Sequence, residues 1–197
     1  MMSYMPSLVT PVMPPGVLSM SAQPTLRIDG NLVLRPWLLS DAAAVTRVFQ
    51  DPSIQHWHLR RADSEDEARE WIKQWRGSWE DETACHWAVV DASNNKVLGR
   101  VSLQSIVTVG GQAAISYWTA PETRGKGVCS RAVARVSRWA LEEVGFNRLE
   151  LGHSTENVAS CRIAEKTGFA LEGVRRRALL HADGWHDMHL HARVHES

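Results

Sequence analysis

The 197-residue chain has few cysteines, no surplus of either charge and no long apolar run. Cys85, Cys129 and Cys161 are widely spaced and form no CxxC pair. This spacing excludes a disulfide framework and a cysteine-based zinc motif, and it favours a reducing cytoplasm. Lys plus Arg and Asp plus Glu each number 22, so no basic surplus attracts nucleic acid or an anionic membrane. No run reaches the roughly 18 apolar residues of a membrane span, and the N-terminus reads poorly as a signal peptide.

Phenylalanine and tyrosine are also scarce, with 3 and 2 residues, whereas tryptophan numbers 9. The chain is 44% hydrophobic and 22% charged, which is ordinary for a globular domain. Residues 1–24 hold five of the eight prolines, a density that prevents helices and central strands. We therefore predict a flexible Pro/Met-rich arm over 1–24, either without a role or docking a partner, and one domain over 25–197.

Hydrophobic periodicity and turn residues predict the element order β-α-α-β-β-β-α-β-α-β-β from residue 25 onward. Ser64 and Glu67 form a capping box that begins a helix, and Trp71, Trp75 and Trp79 follow it on one face. A second long helix is predicted from Gly127 to about Val144, with Gly145 closing it, and a third over 157–166. These elements predict an α/β domain with a mixed sheet.

The segment from Tyr117 to Ser130 predicts a phosphate-binding loop, because a strand enters a short glycine-containing turn that opens a helix. The first amides of a helix have no internal partner, and glycines let a pyrophosphate approach them closely. Arg124 and Lys126 add positive charge. The loop is not a Walker A motif, since Ala120 stands where that motif needs glycine and no Ser or Thr follows the Gly–Lys pair. A nucleotide-binding protein that uses ATP is therefore disfavoured.

Arg124-Gly125-Lys126-Gly127-Val128-Cys129 resembles the acyl-CoA pyrophosphate loop of the GNAT acetyltransferases. Three more segments resemble the RimJ/RimL-like branch of that family, in the right chain order: the strand over 32–36, the Asn157–Ser160 helix with Gly168-Phe169, and the hairpin around Asp183-Gly184. The resemblance covers about residues 25 to 194. It implies a GNAT fold, with a central mixed and largely antiparallel twisted sheet that splays at the cofactor cleft and is flanked by about four helices.

The resemblance also implies acetyl-CoA, or another short acyl-CoA, as co-substrate. Asn157 would bind the cofactor near its sulfur, where an amide offers both donor and acceptor, or would serve as a helix cap. The main chain of the preceding strand would bind the pantetheine arm, and the loop would hold the pyrophosphate. These cofactor-binding residues are, in chain order, Tyr117, Trp118, Thr119, Arg124, Gly125, Lys126, Gly127, Val128, Cys129, Ser130 and Asn157.

The family transfers the acyl group directly to an amine. By resemblance, a main-chain amide near Trp118 would stabilise the oxyanion and Ser160 would reprotonate the leaving thiolate. The chain lacks both carboxylates that such enzymes use as general base, since 113–116 and the stretch after Gly173 contain none. We expect His153 to act as base. The alternatives left open are a water relay to a low-pKa amine, which favours an α-amine, and three other side chains: His181, Asp183 and Glu82.

Two further groups of histidines are considered, one for contact with the acceptor and one for metal binding. His56 and His58, beside Trp57, fall where the family builds its acceptor wall. Asp187, His189 and His191 alternate along the last strand and so share a face, but no second cluster of ligands accompanies them in sequence. We therefore predict no metal.

The sequence thus predicts an acetyl-CoA-dependent N-acetyltransferase that acts on a protein or peptide N-terminus or a small-molecule amine. The alternatives are an antibiotic- or metabolite-modifying acetyltransferase and a non-catalytic acyl-CoA-binding sensor, which the missing carboxylates motivate. We further expect a cytoplasmic monomer or homodimer that engages an amine acceptor, with no nucleic acid and no membrane.

Overall fold

A computed structural model describes residues 8–196 of the chain. It contains one sheet of eight strands in the order β1-β2-β3-β4-β5-β6-β8-β7. The strands are β1 (Leu26–Arg27), β2 (Leu32–Pro36), β3 (Cys85–Asp91), β4 (Val97–Val107), β5 (Gln112–Thr119), β6 (Arg148–Ser154), β7 (Ala170–His181) and β8 (Gly184–Val194). The helices are α1 (Ala42–Phe49), α2 (Pro52–Gln55), α3 (Glu65–Glu80), α4 (Val128–Arg138) and α5 (Val158–Lys166). The predicted mixed, largely antiparallel sheet is confirmed, with five helices where about four were expected.

The sheet opens between β5 and β6, its one parallel pair in the described chain. These strands pair only through Gln112–Ala114 and Arg148–Glu150. β5 continues to Thr119, fully paired with β4 on its other side, and β6 continues to Ser154 beside β8. A cleft therefore runs between the outer halves of β5 and β6, as the sequence predicted for the splayed sheet.

Local capping chemistry begins and ends the helices that border this cleft. The Ser64 hydroxyl accepts a hydrogen bond from the Glu67 amide at 3.2 Å, which begins α3 at the predicted place. Asn157 begins α5 in the same way, accepting from the Ser160 amide at 3.0 Å. α4 continues through a π-helical stretch over Trp139–Val144 and ends at Gly145 in the left-handed conformation, as predicted.

The N-terminal segment packs against the domain from Val12 to Pro24, where the sequence predicted a flexible arm. Met13 and Leu18 are only 1% exposed and belong to the hydrophobic core. The Glu82 carboxylate accepts main-chain hydrogen bonds from Gly16 and Leu18, at 2.8 and 2.7 Å. The physical reason is that prolines exclude regular secondary structure but not burial of the apolar residues between them. The first seven residues of the predicted arm lie outside the described chain.

Two hydrophobic cores lie on the two faces of the sheet. The core beneath α4 and α5 contains Trp79, Trp87 and Trp139. The core beneath α1 and α3 contains Trp37 and Trp118, and Trp71 and Trp75 pack against it. The indole stripe predicted on α3 is therefore divided, because Trp79 reaches one core and the two earlier indoles reach the other. Most of the tryptophan excess is accounted for by packing.

Candidate active site

The loop between β5 and α4 contains two glycines in a conformation that other residues rarely adopt. Gly125 and Gly127 have φ of +75° and +70°, a left-handed region that residues with a Cβ rarely enter. Gly127 directly precedes α4 and serves as its N-cap. The first amides of α4 therefore face the end of the loop without partners in the helix, and the helix dipole adds partial positive charge there.

A cavity of about 440 Å³, here called the loop cavity, lies between this loop and α5. It brings together all of the predicted cofactor-binding residues except Lys126. They are Tyr117, Trp118, Thr119, Arg124, Gly125, Gly127, Val128, Cys129, Ser130 and Asn157. Lys126 instead turns back on the loop and donates to the Glu122 carbonyl at 3.2 Å. Arg124 donates to the Ser53 hydroxyl at 2.7 Å, which ties the loop to α2.

A second cavity, of about 580 Å³ and here called the tryptophan cavity, lies between the splayed strands. Trp57, Trp71 and Trp75 form much of its apolar wall. The two cavities meet, because five residues line both: Trp57, His58, Tyr117, Asn157 and Ser160. A molecule in one cavity can therefore contact a molecule in the other at this junction.

Ser160, predicted to be catalytic, lies at the junction on the first turn of α5. Its amide is held by Asn157, and its carbonyl accepts from the Tyr117 hydroxyl at 3.5 Å. The Ser160 hydroxyl makes no hydrogen bond to any residue between 8 and 196. Asn157 serves as the predicted helix cap and also lines both cavities, and its contact with the cofactor stays a prediction.

Cys129 lies in the loop cavity as a protonated thiol. Burial raises its pKa to about 12, so the thiolate that would act as a nucleophile is not formed at neutral pH. Burial likewise raises the pKa of the Tyr117 phenol. Both groups therefore stay protonated at neutral pH and cannot act as bases, and both contribute shape and packing to the cavity wall.

His153, the other predicted catalytic residue, lines only the tryptophan cavity. Its Nδ1 donates to the Ser154 carbonyl at 2.8 Å, and its Nε2 lies 3.2 Å from Nε2 of His191. Burial lowers the pKa of His153. Both ring nitrogens thus already face protein groups, which leaves none turned towards the junction.

The alternative bases lie in three different places. His181 lines the tryptophan cavity. Glu82 instead binds the N-terminal segment. Asp183 is exposed and accepts from His186 Nε2 at 2.9 Å. Among residues 8–196, no aspartate or glutamate lines the tryptophan cavity. The absence of a carboxylate base, inferred from sequence, thus extends to the three-dimensional site.

The sequence pattern of the acetyltransferase (GNAT) domain matches residues 31–170. The chain belongs to the GNAT acetyltransferase family. This membership confirms the predicted fold and the predicted N-acetyltransferase class. No helix within residues 8–196 combines the length and the apolar character that crossing a membrane requires.

Named relatives of this GNAT domain are N-acetyltransferases. The chain is 32% identical to the "Probable N-acetyltransferase YjcK" of Bacillus subtilis over 60% of its own length and 66% of that protein, just under two thirds. It is 26% identical to the ribosomal-protein-serine acetyltransferase of Escherichia coli over 52% of this chain and 58% of that one. The fold of RimL, a ribosomal L7/L12 alpha-N-protein acetyltransferase solved with coenzyme A, superposes with a TM-score of 0.81, at 20% identity over 87% of this chain and 98% of RimL.

His58 was predicted only as part of the acceptor wall, and the fold shows that it also reaches the junction of the two cavities. Its Nδ1 donates to the Ile54 carbonyl at 2.7 Å, which leaves the Nε2 lone pair without a partner in the described chain. Burial lowers the pKa of His58, and the positive charge of Arg100 lowers it further, against the Ile54 bond that raises it. His58 is therefore a neutral imidazole at pH 7. His56, predicted beside it on the acceptor wall, lines neither cavity.

Arg100 gives the tryptophan cavity a fixed positive charge. Its guanidinium lies 5.2 Å from the centre of the Trp75 ring and donates to the Ser116 hydroxyl at 3.2 Å. Its Nε is buried without a hydrogen-bond partner, and burial lowers its pKa to about 10. Arg60 is the second cation of the cavity wall. The cavity thus combines an apolar indole surface with a half-buried guanidinium that no carboxylate of the described wall neutralises.

Proposed function

We propose that the chain transfers an acetyl or other short acyl group from acyl-CoA in the loop cavity to a primary amine in the tryptophan cavity. The observation that carries this proposal is the junction, where two cavities share one wall that holds Ser160 and His58. A sensor that only bound acyl-CoA would not need the second cavity. That cavity is within the roughly 300–1,000 Å³ range of ligand sites.

In this proposal the loop residues from Arg124 to Ser130 hold the pyrophosphate through main-chain amides and the charge of Arg124. The open edge of β5 holds the pantetheine arm. The Ala120 amide donates to the Leu98 carbonyl on β4, and ladder bonds alternate along a strand. The amides of Tyr117 and Thr119 therefore face the cleft, and one of them takes the oxyanion role that the sequence assigned near Trp118.

The chemical step follows from the positions of His58 and Ser160. The amine nitrogen bonds to the thioester carbon while its proton passes to His58 Nε2, and the carbon–sulfur bond then breaks. The leaving thiolate takes its proton from the Ser160 hydroxyl, and the proton that His58 took from the amine restores that hydroxyl, so both side chains return to their starting states. His58 replaces His153 as the proposed base, because its free nitrogen lies at the junction whereas both nitrogens of His153 are engaged.

The charge of the tryptophan cavity supports an acceptor that carries an acidic group near its amine. Arg100 is half-buried, its Nε has no hydrogen-bond partner, and it faces no carboxylate of the described cavity wall; an anionic partner would stabilise a guanidinium in such a place. An acidic protein or peptide N-terminus fits this requirement, and so does a small acidic amine. RimL is a ribosomal L7/L12 alpha-N-protein acetyltransferase, so a protein N-terminus is the acceptor of one protein with this fold.

The three cysteines bear on the cellular compartment of the protein. All three cysteines are free in the structure, which supports a reducing compartment such as the cytoplasm. We propose a cytoplasmic monomer or homodimer.

The test of the proposed reaction uses His58→Gln and the neighbouring His56→Gln as matched control. Acetyl-CoA turnover is followed by release of free CoA thiol across a panel of peptides and small amines. We expect the His58 variant to lose about 100- to 10,000-fold in kcat while its calorimetric affinity for acetyl-CoA is unchanged, and the His56 variant to stay near wild type.

The pH profile separates a base from a positioning residue. Protonation of the free amine lowers kcat/KM of both enzymes below about pH 8, so the ratio of wild-type to variant kcat/KM is compared at each pH. Because the folded-state pKa of His58 lies below the ordinary 6.5, this ratio should stay constant down to pH 6.5 and fall only further down, as His58 takes up a proton. If no amine on the panel is acetylated, the acyl-CoA sensor is favoured instead, and a ratio that stays constant at all pH values would exclude His58 as base.

A further inference from the structure

Three histidines and a cysteine that are scattered in sequence meet beneath α5. His153 lies near the end of β6, Cys161 lies on α5, and His189 and His191 lie on β8. One ligand atom from each lies within 4.8 Å of every other. We propose that this His₃Cys cluster is a Zn²⁺ site, distinct from the junction of the two cavities.

The register of the sheet creates the cluster. His153 pairs directly with His189 across β6 and β8. His189 and His191 are two residues apart on one strand and so share a face. α5 follows β6 in the chain and contacts it, which brings Cys161 to the same face. The sequence predicted no metal because these ligands come from three elements with no local spacing motif.

The distances fit a tetrahedral ion. Zinc bound to imidazole nitrogens at about 2.0–2.1 Å places two such nitrogens about 3.4 Å apart. Nε2 of His153 lies 3.2 Å from Nε2 of His191. The His189 ring centre is 5.2 Å from that of His153 and 5.8 Å from that of His191, and its Nδ1 is buried without a hydrogen-bond partner.

The hydrogen bonds around the cluster are those of ligating histidines. A carbonyl oxygen only accepts, so the bonds from Nδ1 of His153 to Ser154 and from Nδ1 of His191 to Phe169, at 2.8 and 3.3 Å, require a proton on each Nδ1. Each Nε2 then presents its lone pair towards the other. Metal-bound histidines almost always donate their second nitrogen in this way. Two lone pairs that face each other at this distance repel, and a cation bound between them would replace that repulsion with attraction.

The donor set selects the metal and its role. Three imidazoles and a thiolate suit Zn²⁺ and exclude Mg²⁺ and Ca²⁺, which prefer oxygen ligands. Cys161 is partly exposed, with Glu165 Oε1 as its hydrogen-bond acceptor at 3.6 Å, so metal can enter from α5. With four protein ligands the site has no open position. Zinc would therefore join α5 to β6 and β8, and so hold the helix that carries Ser160.

The experiment titrates the full chain, freed of metal with a chelator, with Co²⁺ and then with Zn²⁺. We expect one equivalent of Co²⁺ to give visible tetrahedral bands and a thiolate-to-cobalt charge-transfer band, both removed by Zn²⁺. Calorimetry with Zn²⁺ alone should give one site, and Zn²⁺ should raise the melting temperature. None of these measurements depends on acetyl transfer, so failure of the zinc site leaves the proposed function untouched.

Matched variants distinguish the cluster from other cysteines and histidines. Cys161→Ser should abolish the charge-transfer band and weaken Zn²⁺ binding at least about 10-fold, whereas Cys129→Ser should keep both. His189→Ala should weaken binding similarly, whereas His195→Ala, at an exposed histidine outside the cluster, should not. Circular dichroism of each variant reports its folding. Wild-type protein that binds no stoichiometric Zn²⁺ overturns the proposal, and so does tight binding that survives in either cluster variant.

Discussion

Leu18 tests whether the N-terminal segment belongs to the folded domain. Its side chain is 1% exposed within the core that underlies α4, whereas Leu8 of the same segment is fully exposed. Replacing a buried leucine by alanine costs about 2–5 kcal/mol, and replacing an exposed one changes stability by less than about 0.5 kcal/mol. We therefore expect Leu18→Ala to destabilise the protein strongly and Leu8→Ala to leave it unchanged.

The assay is urea unfolding followed by tryptophan fluorescence. The indole nitrogens of Trp79 and Trp87 donate to the Ser21 and Pro24 carbonyls, both at 2.9 Å, so two fluorophores report directly on this segment. At about 2–4 °C per kcal/mol for a chain of this size, Leu18→Ala should also lower the melting temperature by roughly 4–20 °C. The urea midpoint should fall with little change in the slope of the transition. Equal, small effects of the two substitutions would show that the segment is detached in solution.

Glu82 provides the second arm of the same experiment. Burial raises its pKa, but the main-chain amides of Gly16, Leu18 and Ser19 outweigh burial and hold the pKa below its ordinary value. The ionised carboxylate therefore stabilises the fold above about pH 4.5. That contribution is lost as pH falls through the lowered pKa. Glu82→Gln should remove this pH dependence, and its cost should not add to that of Leu18→Ala, because both changes release the same turn.

Three further predictions concern the two cavities. Ser160→Ala should lower kcat about 100-fold or more with nearly unchanged affinity for acetyl-CoA; equal losses in both quantities would indicate a binding role. Gly127→Trp should abolish calorimetric CoA binding, because the left-handed position at the start of α4 has no room for both an indole and a pyrophosphate; retained affinity would refute the assignment of the loop. Arg100→Gln should lower kcat/KM about 10- to 100-fold for acidic peptides, because a hydrogen bond to a charged group contributes roughly 1.5–3 kcal/mol to binding. Peptides with Asn in place of Asp should be little affected, and equal losses for both peptides would contradict the proposed acceptor charge.

Features that depend on local chemistry were predicted from sequence. Gly145 takes the left-handed conformation that its predicted C-cap position favours, and Asn157 caps α5 through its own side chain. The order of strands and helices from residue 25 follows the periodicity of buried residues, apart from the two-residue strand β1 and the single-turn helix α2. In each case the deciding interactions lie within a few residues of chain.

Features that depend on register or on distant packing were not predicted. Nothing near Leu18 indicates that Glu82, 64 residues later, accepts its amide. His58 becomes a candidate base only because the chain after α2 folds over the splayed strands, and its neighbour His56 differs in no local property that sequence reasoning could use. The His₃Cys cluster likewise depends on the pairing of His153 with His189, which the closing hairpin determines.

The missing carboxylate and the half-buried Arg100 explain each other. A carboxylate in the tryptophan cavity would pair with the guanidinium and would also stabilise the protonated, unreactive form of an amine. No such group lines the described cavity, so in the proposed reaction Arg100 would disfavour an ammonium beside it and would lower the pKa of the bound amine. An α-amine starts near about 8, well below the roughly 10.4 of a lysine, so a further decrease would bring it close to neutral pH. A weak, neutral base such as His58 would then be sufficient.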